Sequence, residues 1–347
     1  MTGALSHADP LRALDAAPAQ HGVAVVTGGS AGLGRAVVRE LAAAGYDVAV
    51  LARGHDGVAG AVADVAGAGR RALGVLTDVA SADEVEAAAQ QVEDELGPIE
   101  VWVNDAMSSV FAEFLDISPE DFERATAVSY LGFVNGSRAA LRRMKPRDRG
   151  VLIQVGSALA FRGIPLQAAY CGAKHALVGF TESVITELLH DKSKVKVCMV
   201  HMPALNTVQF NWVKSDLPHH PQPVAPIYQP EVGARAVVHV AQHPRRTTWV
   251  GASTAGTILG NRVIPALLDH YLARTGFSGQ QSKKDTRPQI GDNLHSPVGG
   301  DHGAHGDFDS RSWSRSPELW ASLHRRSLAV GAVATVVGLA LGRSARS

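Results

Sequence analysis

A doubly wound parallel α/β sheet is the fold class that this sequence predicts, and three observations predict it. Short apolar runs rich in β-branched residues alternate with helix-length segments from His21 to Gly251, the pattern of parallel strands joined by crossover helices. The first of these runs ends in a glycine-rich turn, Gly28–Gly34, set between a strand and a helix. The connections between segments are short throughout, which leaves little chain for any other architecture. Together these features describe a Rossmann-like sheet with an irregular C-terminal extension.

His21–Thr27 is the first predicted strand, and Ala36–Ala44 the helix after it, ended by Gly45. Between them lie Gly28, Ser30, Ala31, Gly32, Leu33 and Gly34. Glycines there let the backbone approach a pyrophosphate, and the helix N-terminus offers unbonded N–H groups to its charge. The strand–turn–helix context makes such a turn informative. Asp47–Ala52 is the second strand, and its end bears on the choice of dinucleotide. An acidic residue there would bond a ribose 2′-hydroxyl and select NAD(H). Ala52 and Arg53 stand there instead, leaving room and positive charge for a 2′-phosphate, so NADP(H) is expected as the preferred cofactor and NAD(H) as the alternative. Arg71–Leu76 is the third strand, followed by Asp78 and Val79. Asp78 is placed either to meet an adenine edge or to cap the helix Asp83–Leu96. Ile99–Asn104 is the fourth strand, and Ser118–Met144 a long helical stretch carrying Ser129 and Tyr130.

Val151–Val155, closed by Gly156, reads as a strand buried on both faces. Ser157 follows at its carboxyl end, where ligands bind in open α/β sheets. Pro165 opens a helical pattern in which Tyr170 and Lys174, four apart, share one face. A free phenol titrates near ~10, and an adjacent ammonium lowers the cost of ionising it. Such a pair alone is commonly a packed tyrosine beside a solvated lysine. A serine thirteen residues upstream at a strand end supplies the third group: Ser157 can bond a carbonyl or alcohol oxygen while Tyr170 gives or takes its proton. Lys196–Met202 is a sixth strand, with Pro203 and Thr207 at its carboxyl end. Gln229–Gln242 is a helix and Thr247–Val250 a seventh strand.

Thr27–Gly34, Asp78, Asn104-Asp105-Ala106, Ser157 and Tyr170-Cys171-Gly172-Ala173-Lys174 together resemble the short-chain dehydrogenase/reductase superfamily over about residues 20–255. The resemblance implies an NAD(P)-linked oxidoreductase acting on CH–OH and C=O groups. Tyr170 would be the acid/base, with Lys174 lowering its pKa and holding the nicotinamide ribose, and Ser157 would position the substrate oxygen. It also implies that Thr207 contacts the nicotinamide carboxamide and that Asn104 lies near the adenosine ribose. Three departures stand out. The family's Asn-Asn-Ala-Gly reads Asn104-Asp105-Ala106-Met107, its Pro-Gly turn reads Pro203-Ala204, and Ser129 occupies the place of a relay asparagine. Ser129 has one hydroxyl in place of an amide and is the candidate to hold a relay water. The competing class is a non-enzymatic NAD(P)-binding sensor or scaffold that keeps this fold.

The domain plan is a flexible N-terminus at 1–20, a catalytic domain at 21–255, a helical segment at 256–274 that walls the substrate site or meets a second subunit, an irregular Gly/Asp/His/Ser-rich extension at 275–320, and an apolar helix at 321–347. The irregular extension is expected to be disordered or draped over the body. Its His302 and His305 lack a preformed geometry, so no metal is expected. Phe111, Phe114, Leu159, Phe161, Ile164, Leu166, Phe210 and Trp212 flank the site and point to an apolar carbonyl or alcohol substrate. Lys plus Arg and Asp plus Glu balance at 33 each, which predicts no steering toward nucleic acid. Two cysteines, Cys171 and Cys198, exclude a disulfide framework and fit a cytoplasmic setting. Leu328–Leu341 is uncharged and flanked by arginines. It is short for a ~30 Å hydrocarbon core, which leaves a packed helix, an interfacial anchor and a short tail anchor open. A homo-oligomer is expected.

Overall fold

The computed structural model of the chain describes residues 9–282 and 290–324. Its main sheet is built from β1 (Arg12–Ala13), β2 (Val23–Thr27), β3 (Asp47–Ala52), β4 (Ala72–Leu76), β5 (Ile99–Asn104), β6 (Val151–Ser157), β7 (Lys196–Met202) and β8 (Thr247–Trp249). Their spatial order is β1-β4-β3-β2-β5-β6-β7-β8. All neighbours are parallel except β1 on β4. From β2 the chain steps outward to β3 and β4, then returns so that β5 pairs the other side of β2. That reversal opens a crevice at the carboxyl ends of β2 and β5, with Thr27 beside Asn104 and Asn104 beside Gln154.

The strands are continuous apolar runs because both faces are covered. On one face α1 (Gly32–Ala43), α2 (His55–Gly67) and α7 (Pro230–Gln242) bury Val37, Leu41, Val58, Val62 and Val237 against Val26 and Val50. On the other, α3 (Ala82–Glu95), α5 (Gly132–Arg147) and α6 (Ala168–His190) bury Val85, Val92, Met144 and Leu188 around Trp102. Local chemistry starts these helices. Ser81 accepts a hydrogen bond from the Glu84 amide at 3.3 Å to cap α3, and Ser118 accepts one from Asp121 at 3.1 Å to cap α4 (Pro119–Thr126), with Pro119 at its first position.

Several boundaries differ from the sequence expectation, each for a packing reason. The stretch Ser118–Met144 is not one helix: a π-turn at Ala127–Leu131 separates α4 from α5. Gly132 lies there so close to Val79 that a Cβ would sit 2.6 Å from a Val79 methyl. The helix expected from Pro165 begins at Ala168, because Leu166 takes a left-handed φ of 68°. Residues 9–20, expected to be flexible, are held in place. Arg12 and Ala13 pair with Leu73 and Ala72, Arg12 meets Glu95 at 2.9 Å, and the strand covers an otherwise open sheet edge. Beyond β8 come α8 (Ala252–Val263) and α9 (Pro265–Gly279), and later α10 (Pro317–Leu323). Between 290 and 316 the extension is irregular apart from a 3-10 turn at Asp309–Arg311 and the two-residue strand Ser312–Trp313, and it is draped over the body. The segment Leu328–Leu341 lies outside the described residues. Among the described residues no helix is long and apolar enough to cross a membrane.

Candidate active site

The crevice is the mouth of a cavity of about 830 Å³. Its nucleotide end is built by the β2–α1 turn. Gly28 has a φ of 72°, and a Cβ there would lie 2.7 Å from the Ala106 Cα, so only glycine lets the two loops approach. A Cβ on Gly34 would sit 2.3 Å from the Gly28 carbonyl oxygen, so this glycine shapes the turn from behind and does not line the cavity. Gly28, Ser30, Ala31, Gly32 and Leu33 do line it, and α1 begins without a side-chain cap. A helix start whose Gly32 amide meets only the Gly303 carbonyl, beside a tight glycine turn, fits a pyrophosphate. Arg53, Asp78, Val79, Ala106, Pro203 and Thr207 line the same cavity, with the Thr207 side chain against Gly32. Asp78 is no helix cap, since Ser81 serves α3. Burial opposes its ionisation, but Arg124 at 2.6 Å holds its carboxyl below the usual range.

At the other end β6 and α6 bring Ser157, Tyr170 and Lys174 to the cavity wall. Ser157 hydrogen-bonds the Tyr170 phenol and accepts from the Leu159 amide at 3.1 Å. Lys174 is 2% exposed. Its Nζ donates to the Val155 carbonyl at 2.8 Å and lies 4.2 Å from the Phe133 ring centroid and 5.6 Å from that of Tyr170. Burial, and not the Lys174 charge expected to lower it, dominates the Tyr170 pKa. Burial pushes the phenol well above its ordinary value; Ser157 opposes the shift, and Asp105 adds to it with negative charge. Asp105, at one of the sequence departures, is itself pushed up by burial, against the Lys174 charge and the Gly34 amide. Burial draws Lys174 down, with Asp105 opposing.

Two further expected site residues stand away from the cavity. Asn104 is fully buried and knits the sheet: its amide donates to Gln154 at 3.0 Å and to the Phe133 carbonyl at 3.2 Å, while its oxygen accepts from Trp102 at 2.8 Å. With that network filled, it has no path to an adenosine ribose. Ser129, in the π-turn, is equally buried. It donates to the Ser108 carbonyl at 2.7 Å and accepts from the Ser108 amide at 2.9 Å, so it clamps the loop after Asp105 and does not face the substrate end.

Of the aromatic and aliphatic residues expected around the substrate, Phe111, Leu159, Ile164, Phe210 and Trp212 line the cavity. Phe114 instead packs edge-on against Phe122 and is 64% exposed, and Leu166 is buried outside it. Phe161 meets His201 at 4.8 Å. Thr254, Leu268 and Leu272 of α8 and α9 form a wall of the cavity, Leu268 and Leu272 within the segment 256–274 expected to wall the substrate site or meet a second subunit, although sequence reasoning named none of the three; it missed the roof made by Pro297, Val298 and His302. No motif marks either. His302 and His305 have separate partners, the Gly299 carbonyl and Glu231, each at 2.7 Å. Among the described residues no group of three or more His, Cys, Asp or Glu could hold a metal.

His201, beneath Ser157, gives the site a pH liability. Burial pushes its pKa from 6.5 to about 4, with a hydrogen bond to the Ser157 backbone opposing. Its Nδ1 has no partner, and a Cβ on Gly156 would reach that nitrogen at 2.4 Å. The unfolded histidine takes a proton below 6.5 and the folded one does not until about 4. Stability is therefore complete above pH 6.5 and is lost as pH falls toward 4, by about 3 kcal/mol at roughly 1.4 kcal/mol per pH unit. Denaturant melts from pH 7 to 4 should be steeper in pH for the wild type than for His201→Asn, and equal slopes would remove His201 as the cause.

Comparison with known proteins places this geometry. The short chain dehydrogenase family matches residues 22–217, more than half of the 347-residue chain. An uncharacterized oxidoreductase of Bacillus subtilis (strain 168) is 29% identical over 326 residues, covering 93% of this chain and 90% of its own, so the likeness runs into the C-terminal extension. A 3-oxoacyl-[acyl-carrier-protein] reductase of Bos taurus is 31% identical over 199 residues, covering 56% of this chain and 83% of its own. Among solved structures, an alcohol dehydrogenase from the archaeon Thermococcus sibiricus, complexed with 5-hydroxy-NADP, superposes with a TM-score of 0.55 at 25% identity, covering 66% of this chain and 94% of its own.

Proposed function

Because this chain belongs to the short chain dehydrogenase family and is an NAD(P)-dependent oxidoreductase, we propose that it interconverts an apolar carbonyl compound and its alcohol, with NADP(H) preferred. The observation that carries this reading is the convergence of Ser157, Tyr170 and Lys174 on the same cavity as the glycine turn and Arg53. When bound, the nicotinamide supplies or accepts the hydride. Ser157 orients the substrate oxygen, and Tyr170, kept protonated by burial, donates to that oxygen in reduction and takes the proton back in oxidation. Lys174 holds positive charge beneath the phenol and is the donor for the nicotinamide ribose. Gly32 and its neighbours receive the pyrophosphate, Arg53 the 2′-phosphate, Asp78 and Val79 border the adenine, and Pro203 and Thr207 border the nicotinamide. Ser129 acts as a positioning residue through Ser108.

Phe111, Phe210, Ile164 and Leu272 on the cavity wall support an apolar substrate. Ketones and aldehydes of increasing chain length, offered with NADPH and separately with NADH, test the assignment through loss of the reduced cofactor's absorbance. Turnover should rise with apolar length and be faster with NADPH. Faster turnover with NADH overturns the preference, and no turnover with any carbonyl or alcohol, alongside measurable cofactor binding, overturns the reaction. On α9, Leu267 and Tyr271 are 62% and 58% exposed, which supports a contact between copies of this chain. Sedimentation of the wild type against Leu267→Glu tests it, and an unchanged mass removes it.

A further inference from the structure

Residues 290–306 cross the nucleotide end of the cavity, and their carbonyls already hold the donors that a dinucleotide needs there. Arg53 donates through Nη1 to the carbonyls of Leu294 at 3.3 Å and His295 at 3.0 Å, and through Nη2 to that of Asn293. Arg124 donates to the Leu294 carbonyl at 3.0 Å. Toward the other end of the segment, the Gly303 carbonyl accepts from the Gly32 amide at 2.9 Å. Gly32 is the first residue of α1, so this amide is one of those a helix start presents to an anion. Between these points Asp301 pairs with Arg35 at 2.9 Å, and the Gly300 amide bonds Asp56 at 3.0 Å. Pro297, Val298 and His302 face the same cavity as Gly32 and Arg53.

The carbonyl oxygens at 293–295 and 303 thus stand on the donors that would receive the 2′-phosphate and the pyrophosphate. A donor already spent on a carbonyl cannot be given in full to a phosphate. The segment is nevertheless lightly seated. It contains no helix or strand from 290 to 308, and within 290–306 only Leu294 and Ala304 are buried. Polar ties with few buried apolar contacts describe a unit that opens locally at low cost.

We propose that residues 290–306 form a strap over the dinucleotide cleft that lifts to admit and release NAD(P)(H), its carbonyls exchanging places with the cofactor's phosphate oxygens. The proposal rests on the reading of this cleft as the dinucleotide site. It makes cofactor exchange a gated step, and it makes the extension part of the cofactor site.

The strap can be locked. A Cβ on Gly54 would lie 3.5 Å from the Pro297 Cβ, within the range of about 3.5–4.5 Å for a disulfide. Gly54 has an ordinary φ of −85°, and the native Cys171 and Cys198 are buried. In full-length Gly54→Cys/Pro297→Cys, oxidised with glutathione disulfide, stopped-flow NADPH fluorescence should show association and release each slowed at least about tenfold, and reduction should restore wild-type rates. In the wild-type background Asp301→Asn, which keeps the side-chain oxygen for Gly303 and removes the charge facing Arg35, should speed release at least about threefold. It carries the test alone if the cysteines do not pair. Rates within twofold of wild type in the oxidised form, or in Asp301→Asn when it stands alone, overturn the strap while leaving cofactor binding intact. If the wild type binds neither NADPH nor NADH, the dinucleotide reading fails and the strap fails with it.

Discussion

Tyr170→Phe is expected to leave the fold and most of the cofactor affinity in place while reducing kcat by a factor on the order of 10² or more, the scale of lost general acid–base catalysis. The substitution deletes one hydroxyl. Its ring stays beside Lys174 at the same place in the wall, and Ser157 loses only its phenol partner. KM for the carbonyl should change little, because Ser157 still binds the oxygen, so the defect should lie in kcat. Lys174→Ala should behave differently. It removes the buried charge facing Asp105 and the donor for the ribose, so kcat and NADPH affinity should fall together. A Tyr170→Phe enzyme within threefold of wild-type kcat would show that another group carries the proton.

The second large effect is expected at Arg53. Arg53→Ala should weaken NADPH binding about 10- to 100-fold, from a charge-assisted contact worth about 1.5–3 kcal/mol, and should change NADH binding far less. Ala52→Asp should shift preference toward NADH, by offering the 2′-hydroxyl an acceptor and opposing a 2′-phosphate with like charge. Equilibrium fluorescence titration with both cofactors reads the ratio directly. Arg53 also holds three strap carbonyls, so a looser strap would add a change common to both cofactors. The NADPH-to-NADH ratio isolates the 2′-phosphate contribution, and a ratio unaltered by Arg53→Ala would reassign that phosphate to another group, with Arg124 beside Asp78 the next to examine.

The fold and the core of the candidate site were legible in the amino-acid sequence because both depend on short-range spacing. Alternating runs set the strands and helices. The topological rule for parallel sheets then carried the Gly28–Gly34 turn, Ser157 and the Tyr170–Lys174 face to the carboxyl edge. The roles of Asn104 and Ser129 were not legible. Position within a motif does not say whether a polar side chain faces a cavity or a buried partner, and here Gln154, Trp102 and Ser108 take them up. The burial that dominates the Tyr170 pKa was not legible for a related reason: the neighbour at four residues is visible along the chain, and the loss of solvent around the phenol is not.

The sequence by itself determined the doubly wound sheet, the glycine turn and the placing of Ser157, Tyr170 and Lys174 at one cavity. Only the tertiary structure decided what lies over the cleft. The ties from Arg53 to Leu294 and from Arg35 to Asp301 span 241 and 266 residues, and several of them end on backbone carbonyls, which every residue possesses. No periodicity or side-chain motif can announce such contacts. They exist because the folded body presents unpaired donors where an irregular segment can reach them, and buried or half-buried donors find acceptors wherever the chain brings one close.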